Sequence, residues 1–362
     1  MSNRLRKRIA ARIEQSGPVS VHDYMGICLL DPEDGYYTNA MPFGRSGDFT
    51  TAPEISQMFG ELVGLWAADC WLNGGYAGPF RLVEIGPGRG VLMADALRAI
   101  QGVAAPLLKD AEIVLVEASP QLRDVQRERL DGYPVTWVDH FNHVPAGPAM
   151  VIGNEFLDAL PIRQLLRTGD GYRERAVGLA GQDLVYTDIE CSGPVPDDLP
   201  PTSLGDIVEF SPAVRGFATA LAKRCQAFGG AGLMIDYGYA APAPGDTFQA
   251  VSAHEFADPL SRPGEADLTV HVDFAAFARA ATAAGGAAWG PVSQRDFLRR
   301  LGIEARVAQL AKQGGEQAED IISQYRRLTD ADQMGTLFKV AAISASPSQQ
   351  PSAFDHAELF RP

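Results

Sequence analysis

The sequence predicts an α/β protein built on a doubly wound, Rossmann-like parallel sheet with an inserted β layer and additional helical segments. Short, almost wholly apolar runs recur along the chain, and amphipathic segments with helical spacing separate them. A glycine-rich turn, VEIGPGRG (83–90), follows the first of these runs. Parallel strands that are covered by helices on both faces have this nearly continuous apolar character.

The predicted sheet elements begin at residue 81. They are strand RLVEIG (81–86), helix VLMADALRAI (91–100), strand AEIVLVEA (111–118), helix SPQLRDVQRERL (119–130), and strands VTWVDHF (135–141), AMVIGNEF (149–156), GAGLMIDYG (230–238) and LFKVAAIS (337–344). Between the fourth and fifth strands, polar and apolar residues alternate around a turn at 169–171. This alternation predicts an antiparallel insertion.

These elements predict the domain organisation. Residues 1–80 form an N-terminal helical or lid segment, and residues 81–345 form the Rossmann-like core. The core carries the β insertion at 163–210 and a helical cover at 257–333. The polar tail, residues 346–362, is expected to be flexible because it has few residues that could enter a core.

The N-terminus, MSNRLRKRIAARI, is basic and lacks the apolar core of a secretory signal. Leu5, Ile9 and Ile13 recur at helical spacing, which favours an amphipathic surface helix. An organelle presequence is the alternative, because arginine is abundant and no acid precedes Glu14.

Composition excludes several classes of partner. The formal charge of −14, from 31 basic and 45 acidic residues, argues against nucleic acid, whose phosphates would be repelled. The longest apolar run is far shorter than the roughly 20 residues that cross a bilayer, so no membrane span is expected. The composition carries no signal for an oligomeric state.

Cysteine and histidine spacing argues against a metal site. Cys28, Cys70, Cys191 and Cys225 lie far apart without a CxxC pair, which fits a reducing compartment better than a disulfide framework. His140 and His143 form an HxxH without a clustered third ligand, so no metal is expected.

The glycine-rich turn predicts a nucleotide site. Gly86 and Gly88 permit a sharp turn and close approach of a ligand, and Gly90 lets the next helix pack closely. The dehydrogenase pattern GxGxxG would need a glycine where Val91 stands. Glu84 lies two residues before the turn, where a carboxylate can bind the amino-acid portion of S-adenosylmethionine. Both details favour S-adenosylmethionine over NAD.

Two further acids stand at successive strand ends. Glu117 closes the second strand, from which an acid can accept the ribose hydroxyls of either cofactor. Asp139 closes the third, where adenine N6 is expected in a methyltransferase. Any one of these acids could be a loop cap, but three at successive strand ends predict an adenosine site.

A resemblance to a known family now emerges. The motifs that carry it are, in order, GYYT, GDFTTAPEISQMFGE, LVEIGPGRG, VIGNEFLDALP, LMIDYGY and DLTVHVDF. From about residue 18 to 340 the chain resembles the MidA-like S-adenosylmethionine-dependent methyltransferases, a family that includes a mitochondrial arginine methyltransferase acting as an assembly factor for respiratory complex I. The resemblance implies a class I methyltransferase fold and symmetric ω-N dimethylation of an arginine on the complex I subunit of about 49 kDa, or on its bacterial counterpart.

Candidate acceptor residues follow the fourth strand. A guanidinium is a poor nucleophile, and carboxylates that hold it in a bidentate manner would orient it and help a proton leave. Asn154 and Glu155 stand at the expected position, with Glu155 as the orienting residue and Asp158 as its support. The alternative for Asp158 is a helix cap. The paired-glutamate hairpin of better-known arginine methyltransferases is missing, which leaves the catalytic carboxylates open.

The GDFTTAPE segment has two interpretations. Asp48, Thr50, Thr51 and Glu54 either cap the following helix or contact the cofactor or substrate, and we favour contact. Candidates of second rank are Asp236, Tyr237, His271 and Asp273.

Three rival functions remain from sequence alone. They are a non-catalytic assembly chaperone that binds S-adenosylmethionine, a small-molecule methyltransferase and, remotely, an NAD-dependent oxidoreductase. The expected location is the cytoplasm in a bacterium, or the mitochondrial matrix in a eukaryote.

Overall fold

The computed structural model describes residues 4–39, 50–252 and 255–361. The chain divides into two compact units, each assembled from three segments. Unit 1 comprises Met1–Phe49, Asp158–Arg215 and Ala241–Ala276, and unit 2 comprises Thr50–Leu157, Gly216–Ala240 and Phe277–Pro362.

The described helices and strands are as follows. The helices are α1 (Arg4–Ser16), α2 (Val21–Leu30), α3 (Tyr36–Asn39), α4 (Ala52–Ile55), α5 (Gln57–Gly74), α6 (Val91–Ala104), α7 (Pro120–Arg129), α8 (Pro212–Phe228), α9 (Phe274–Ala283), α10 (Gln294–Arg300), α11 (Ile303–Gly314), α12 (Ala318–Thr329) and α13 (Met334–Leu337). The strands are β1 (Val19–Ser20), β2 (Arg81–Ile85), β3 (Glu112–Val116), β4 (Val135–Val138), β5 (Ala149–Asn154), β6 (Arg163–Thr168), β7 (Gly171–Ala180), β8 (Asp183–Ile189), β9 (Ile207–Phe210), β10 (Gly230–Tyr239), β11 (Gln249–Ser252), β12 (Glu255–Ala257), β13 (Asp267–Thr269), β14 (Val272–Asp273), β15 (Ala287–Ser293) and β16 (Phe338–Ser344).

Unit 2 contains the predicted sheet. Seven strands lie in the order β4-β3-β2-β5-β10-β16-β15, and those from β4 to β10 are mutually parallel. Strand β16 runs antiparallel to both of its neighbours. The strand order reverses between β2 and β5, which makes a switch point where open α/β sheets bind ligands. The doubly wound α/β prediction is confirmed.

Helices of unit 2 bury apolar faces against this sheet. Ser56 caps the start of helix α5, where its side chain accepts a hydrogen bond from the Met58 N–H, and Gly75 caps its end in the left-handed region. Its Phe59 and Trp66 enter the same core as Trp289 of β15. Burial of such aromatic side chains contributes about 1.5–3 kcal/mol each.

Unit 1 contains two antiparallel sheets. The larger has the order β1-β7-β6-β9, with β8 pairing with β7, and the smaller has the order β12-β11-β13. Strands β6 and β7 form the hairpin predicted around residues 169–171. Leu5, Ile9 and Ile13 are the buried residues of α1 and enter the core of this unit, which confirms the predicted amphipathic helix.

The unit boundaries differ from the predicted domain boundaries. Residues 50–80 group with the large sheet, so the segment 1–80 is not one unit. Residues 257–276, expected in a helical cover, carry strands and belong to unit 1. Local periodicity identified the elements, but the grouping depends on pairings distant in sequence, such as that between Val19 and Val177.

The C-terminal segment is packed, contrary to the expected flexible tail. Phe354 is buried at 3% exposure, and its ring centroid lies 5.9 Å from that of Phe297. The Trp66 indole N–H donates to the Ser352 carbonyl at 2.9 Å. These contacts, together with the hydrogen bonds of Arg300 to Glu358, hold a segment whose composition alone suggests disorder.

Within the described residues, Val91–Leu108 is the one helical stretch that is long and apolar enough to cross a membrane by length and composition. Its Leu92, Met93, Leu97 and Ile100 are buried in the core of unit 2, as in a core helix.

Candidate functional site

The glycine-rich turn after β2 has the backbone that only glycine adopts readily. Gly86, Gly88 and Gly90 have φ values of 62°, 51° and 74°. The Gly90 N–H donates to the Pro87 carbonyl at 2.7 Å, which closes the turn before α6. A Cβ on Gly86 would lie 3.4 Å from the Phe156 ring. Glycine at these three positions therefore sets the path of the backbone between β2 and α6.

Glu84 lies buried in β2 beside this turn, at 3% exposure. Its side chain accepts a hydrogen bond from the Met93 N–H, and its Oε2 atom has no hydrogen-bond partner among the described residues. Burial, with a contribution from Glu117, raises the pKa of this carboxyl to about 8. A buried carboxylate oxygen without a partner fits a cationic ligand group such as the ammonium of S-adenosylmethionine.

Glu117 follows β3 and is held from several sides. Its Oε1 accepts the Ser119 N–H at 2.8 Å, and its Oε2 accepts the Gln126 amide at 3.2 Å. Burial raises its pKa despite these donors. The carboxylate therefore has a fixed orientation, as a group that receives ribose hydroxyls requires.

Gln126 is a functional candidate that the sequence analysis missed. Its Nε2 also donates to the Gly88 carbonyl at 2.7 Å, and its Oε1 accepts the Trp137 indole N–H at 2.8 Å. One buried amide thus connects the glycine turn, the acid after β3 and strand β4. The available signal was a polar residue four positions after Leu122, on the apolar face of α7.

Asp139 follows β4 and is largely exposed, with 72% of its side chain accessible. It pairs with Arg123 at 2.5 Å. The structure therefore places the expected adenine-contacting acid at the surface of unit 2, oriented by a neighbouring cation.

Glu155, immediately after β5, has an unusual conformation. Its φ of 51° is one of two positive values among the described non-glycine residues. Its Oε1 accepts the Ala52 N–H at 3.0 Å and the Asn154 side-chain amide at 2.9 Å. These donors stabilise negative charge on the carboxylate. Strained backbone of this kind concentrates at functional sites.

Asp236 of β10 supports the turn that contains Glu155. Its Oδ2 accepts the Phe156 N–H at 3.1 Å and the Leu157 N–H at 2.9 Å. The carboxylate is 1% exposed. The structure therefore brings together Asn154, Glu155 and a residue that had ranked second.

The GDFTTAPE segment is partly described. Asp48 lies outside the described residues. Thr51 occupies the N-cap position of α4 without a side-chain capping bond, and Glu54 lies 3.5 Å from Arg89 of the glycine turn. Glu54 also lines a cavity of about 460 Å³ with residues of α6, α11 and α12. The absence of a Thr51 capping bond disfavours the capping interpretation for this residue.

Asp158 belongs to unit 1 and lies in a turn that no helix follows, so it is not a helix cap. It is 6% exposed. Burial, and then the charges of Asp267 and Asp158, raise the pKa of Tyr37, whose hydroxyl donates to Asp267 at 2.9 Å. Three of the motifs that carried the family resemblance thus converge in this unit.

The remaining candidates have structural contacts. Asp273 accepts the Ala276 N–H at 2.8 Å at the start of α9, and the His271 backbone N–H donates to Thr247 Oγ1 at 3.0 Å. Burial lowers the pKa of His271, which favours a neutral ring. Tyr237 packs its ring against Phe338.

His140 and His143 have ring centroids 6.1 Å apart. Across residues 4–39, 50–252 and 255–361, no three His, Cys, Asp or Glu side chains form a group that could hold a metal ion.

Comparisons with known proteins find similarity to methyltransferases that use S-adenosylmethionine. The model of a family of S-adenosyl-L-methionine-dependent methyltransferases matches residues 62–292. A crystal structure of a COG1565 superfamily member from Burkholderia thailandensis, bound to S-adenosylhomocysteine, superposes with a TM-score of 0.82. That protein is 29% identical, and the match covers 94% of this chain and 91% of that one.

Curated relatives are similar over almost the whole length. The mitochondrial protein arginine methyltransferase NDUFAF7 of Xenopus tropicalis is 36% identical, covering 94% of this chain and 86% of the relative. The homologue in Drosophila melanogaster is also 36% identical, covering 94% of this chain and 84% of the relative.

Proposed function

The chain belongs to the family of S-adenosyl-L-methionine-dependent methyltransferases, and on that premise we propose that it methylates an arginine side chain of a protein. The family and the cofactor expected from the sequence motifs are confirmed. The observation that carries the arginine proposal is the Glu155 carboxylate, oriented by Ala52 and Asn154 at the switch point of the sheet.

The cofactor site is assigned to residues around the glycine turn. When bound, S-adenosylmethionine supplies a methyl group on a sulfonium, which a nitrogen accepts by in-line displacement. Glu84 would hold the ammonium, and Glu117 the ribose hydroxyls. Gly86, Gly88 and Gly90 would permit close approach of the backbone, Asp139 would receive the adenine amino group, and Thr51 and Glu54 would line the same site.

The acceptor would be oriented by Glu155. A guanidinium keeps its charge at neutral pH because its pKa exceeds about 12, so it needs a carboxylate that aligns one nitrogen and assists proton departure. Oε1 of Glu155 is held by two donors, which fixes the plane of the carboxylate against the planar guanidinium. Asn154 supports this orientation, and Asp158 is the proposed supporting acid.

The substrate is inferred from the relatives. The names of these relatives describe them as mitochondrial protein arginine methyltransferases. Those names support a protein as the substrate. We propose symmetric dimethylation of an arginine in the 49 kDa-type subunit of respiratory complex I during its assembly. The reaction would take place in the cytoplasm if the chain is bacterial, and in the mitochondrial matrix otherwise.

The test is incubation of the purified protein with methyl-labelled S-adenosylmethionine and the purified 49 kDa-type subunit from the same organism. Mass spectrometry should locate two methyl groups, one on each terminal nitrogen of a single arginine. Binding of S-adenosylhomocysteine without any labelled arginine would instead favour a non-catalytic assembly chaperone. Label on a small metabolite in a cell extract would identify a small-molecule methyltransferase.

A further inference from the structure

Three consecutive backbone N–H groups after β5 are fixed by two consecutive residues of β10. The Glu155 N–H donates to the Ile235 carbonyl at 2.9 Å. The next two N–H groups, of Phe156 and Leu157, both donate to Oδ2 of Asp236. The last residue pair of the parallel ladder between β10 and β5 is Ile235 with Asn154. Strand β10 therefore makes further hydrogen bonds to the chain after β5 has ended.

This arrangement explains how Glu155 keeps a left-handed backbone. For a residue other than glycine, the left-handed conformation is roughly 1–2 kcal/mol less favourable than the right-handed helical conformation. Hydrogen bonds from backbone N–H groups to a carboxylate are about twice as strong as bonds to a neutral acceptor. Two such bonds to Asp236 immediately follow the strained residue, so they can offset the strain.

The direction of the Glu155 side chain depends on this backbone. With φ at 51°, Oε1 comes within hydrogen-bond distance of both the Ala52 N–H and the Asn154 amide. A return to negative φ would rotate the Cα–Cβ bond away from those donors. The orientation of the carboxylate is therefore set by a residue 81 positions later in the chain.

We infer that Asp236 is a positioning residue for methyl transfer: its buried carboxylate holds the turn that aims Glu155 at the acceptor. The inference rests on the proposed role of Glu155. Asp236 acts through the backbone of the turn and touches neither substrate nor cofactor in this role.

Asp236→Asn is the test. Asparagine keeps an acceptor oxygen for the Phe156 and Leu157 N–H groups but loses the charge that strengthens both bonds. Its NH₂ group then faces the Tyr237 N–H, which Oδ1 of Asp236 accepts at 2.9 Å. We expect kcat to fall about 10- to 100-fold, since small misplacements of a catalytic group have effects of that size. The affinity for S-adenosylhomocysteine should stay within about twofold, because Asp236 is not among the residues assigned to the cofactor.

The double variant Glu155→Gln/Asp236→Asn separates positioning from general destabilisation. If Asp236 acts through Glu155, the double variant should be no slower than Glu155→Gln alone. Multiplication of the two losses would overturn the inference, as would full activity of Asp236→Asn. If Asp236→Asn does not fold, Asp236→Ser replaces it, because serine is smaller and removes the carboxylate while keeping a polar group.

A crystal structure of the Asp236 variant gives a readout independent of the reaction. Glu155 should leave the positive-φ region and lose its contact with Ala52. Retention of both features would reject the inference even if activity fell. Failure of the wild-type protein to label arginine would reject the proposed function. The crystal structure of the variant would still show whether Asp236 sets the conformation of Glu155.

Discussion

The carboxylate of Glu155 accepts a hydrogen bond from the backbone N–H of Ala52 at 3.0 Å, although the two residues are 103 positions apart in sequence. The contact connects α4, at the end of the GDFTTAPE motif, with the NEFLDALP motif. Neither motif alone indicates that the two segments are in contact. In the folded protein, this hydrogen bond joins the two motifs.

Replacing Glu155 by glutamine should abolish most methylation. Glutamine keeps an oxygen for the Ala52 N–H but loses the charge that orients a guanidinium and accepts its proton. We expect kcat to fall about 10²- to 10⁴-fold, the range for loss of an acid or base, with little change in S-adenosylhomocysteine affinity. Initial rates with labelled cofactor measure the first quantity and calorimetry measures the second.

Glu128→Gln is the matched control, because Glu128 is exposed on α7. It should retain the wild-type rate. Wild-type activity in Glu155→Gln would transfer the catalytic role to another carboxylate.

Replacing Glu84 by glutamine should stabilise the ligand-free protein at alkaline pH. The folded pKa of about 8 exceeds the ordinary value of 4.5, so between these values the folded state binds more protons than the unfolded state. Stability from this group is fully present below pH 4.5 and is lost as pH rises through 8. Glutamine does not ionise, so the variant's advantage in melting temperature should grow between pH 5 and pH 8.5.

The same variant should bind S-adenosylhomocysteine about tenfold or more weakly at pH 8, because a charge-assisted hydrogen bond is lost. Thermal melts with and without ligand measure both effects. A pH-independent difference in melting temperature would contradict burial of an ionisable Glu84.

Replacing Gln126 by alanine should weaken cofactor binding. The Trp137 indole N–H and the Gly88 carbonyl would lose their partner, at a cost of about 1–3 kcal/mol in the free energy of unfolding. The loosened turn and Glu117 should raise the dissociation constant of S-adenosylmethionine roughly tenfold. Gln121→Ala, at an exposed position of the same helix, is the control and should leave both quantities unchanged. Unaltered cofactor affinity in Gln126→Ala would show that the hydrogen bonds of Gln126 stabilise the fold without contributing to cofactor binding.

Replacing Phe354 by alanine should destabilise unit 2. The side chain is buried against Phe297, and removal of a buried phenylalanine costs about 3–5 kcal/mol in the free energy of unfolding. Urea titration followed by tryptophan fluorescence measures the change, with Ser348→Ala at an exposed position as the control. A cost below about 0.5 kcal/mol, typical of surface positions, would restore the expectation of a flexible tail.

Local features were predictable from the sequence, and long-range ones were not. Strands β2, β3 and β5 are apolar runs bounded by turns. The three positive φ values of the GPGRG turn fall on its three glycines, the residue type that adopts them readily. The role of Asp236 depends on the parallel register of β10 with β5, which hydrophobic periodicity does not encode. The same limit applies to Gln126, whose partners lie on three separate elements.

The three-segment construction of unit 1 has a consequence for synthesis. Helix α1 buries Leu5 and Ile9 in a core that also contains Leu268 and Val270, so the first helix waits for strands made about 260 residues later. At ribosomal rates of 5–20 residues per second, that interval lasts roughly 13–50 seconds. During that time, the apolar face of α1 lacks part of the core that buries it in the folded protein.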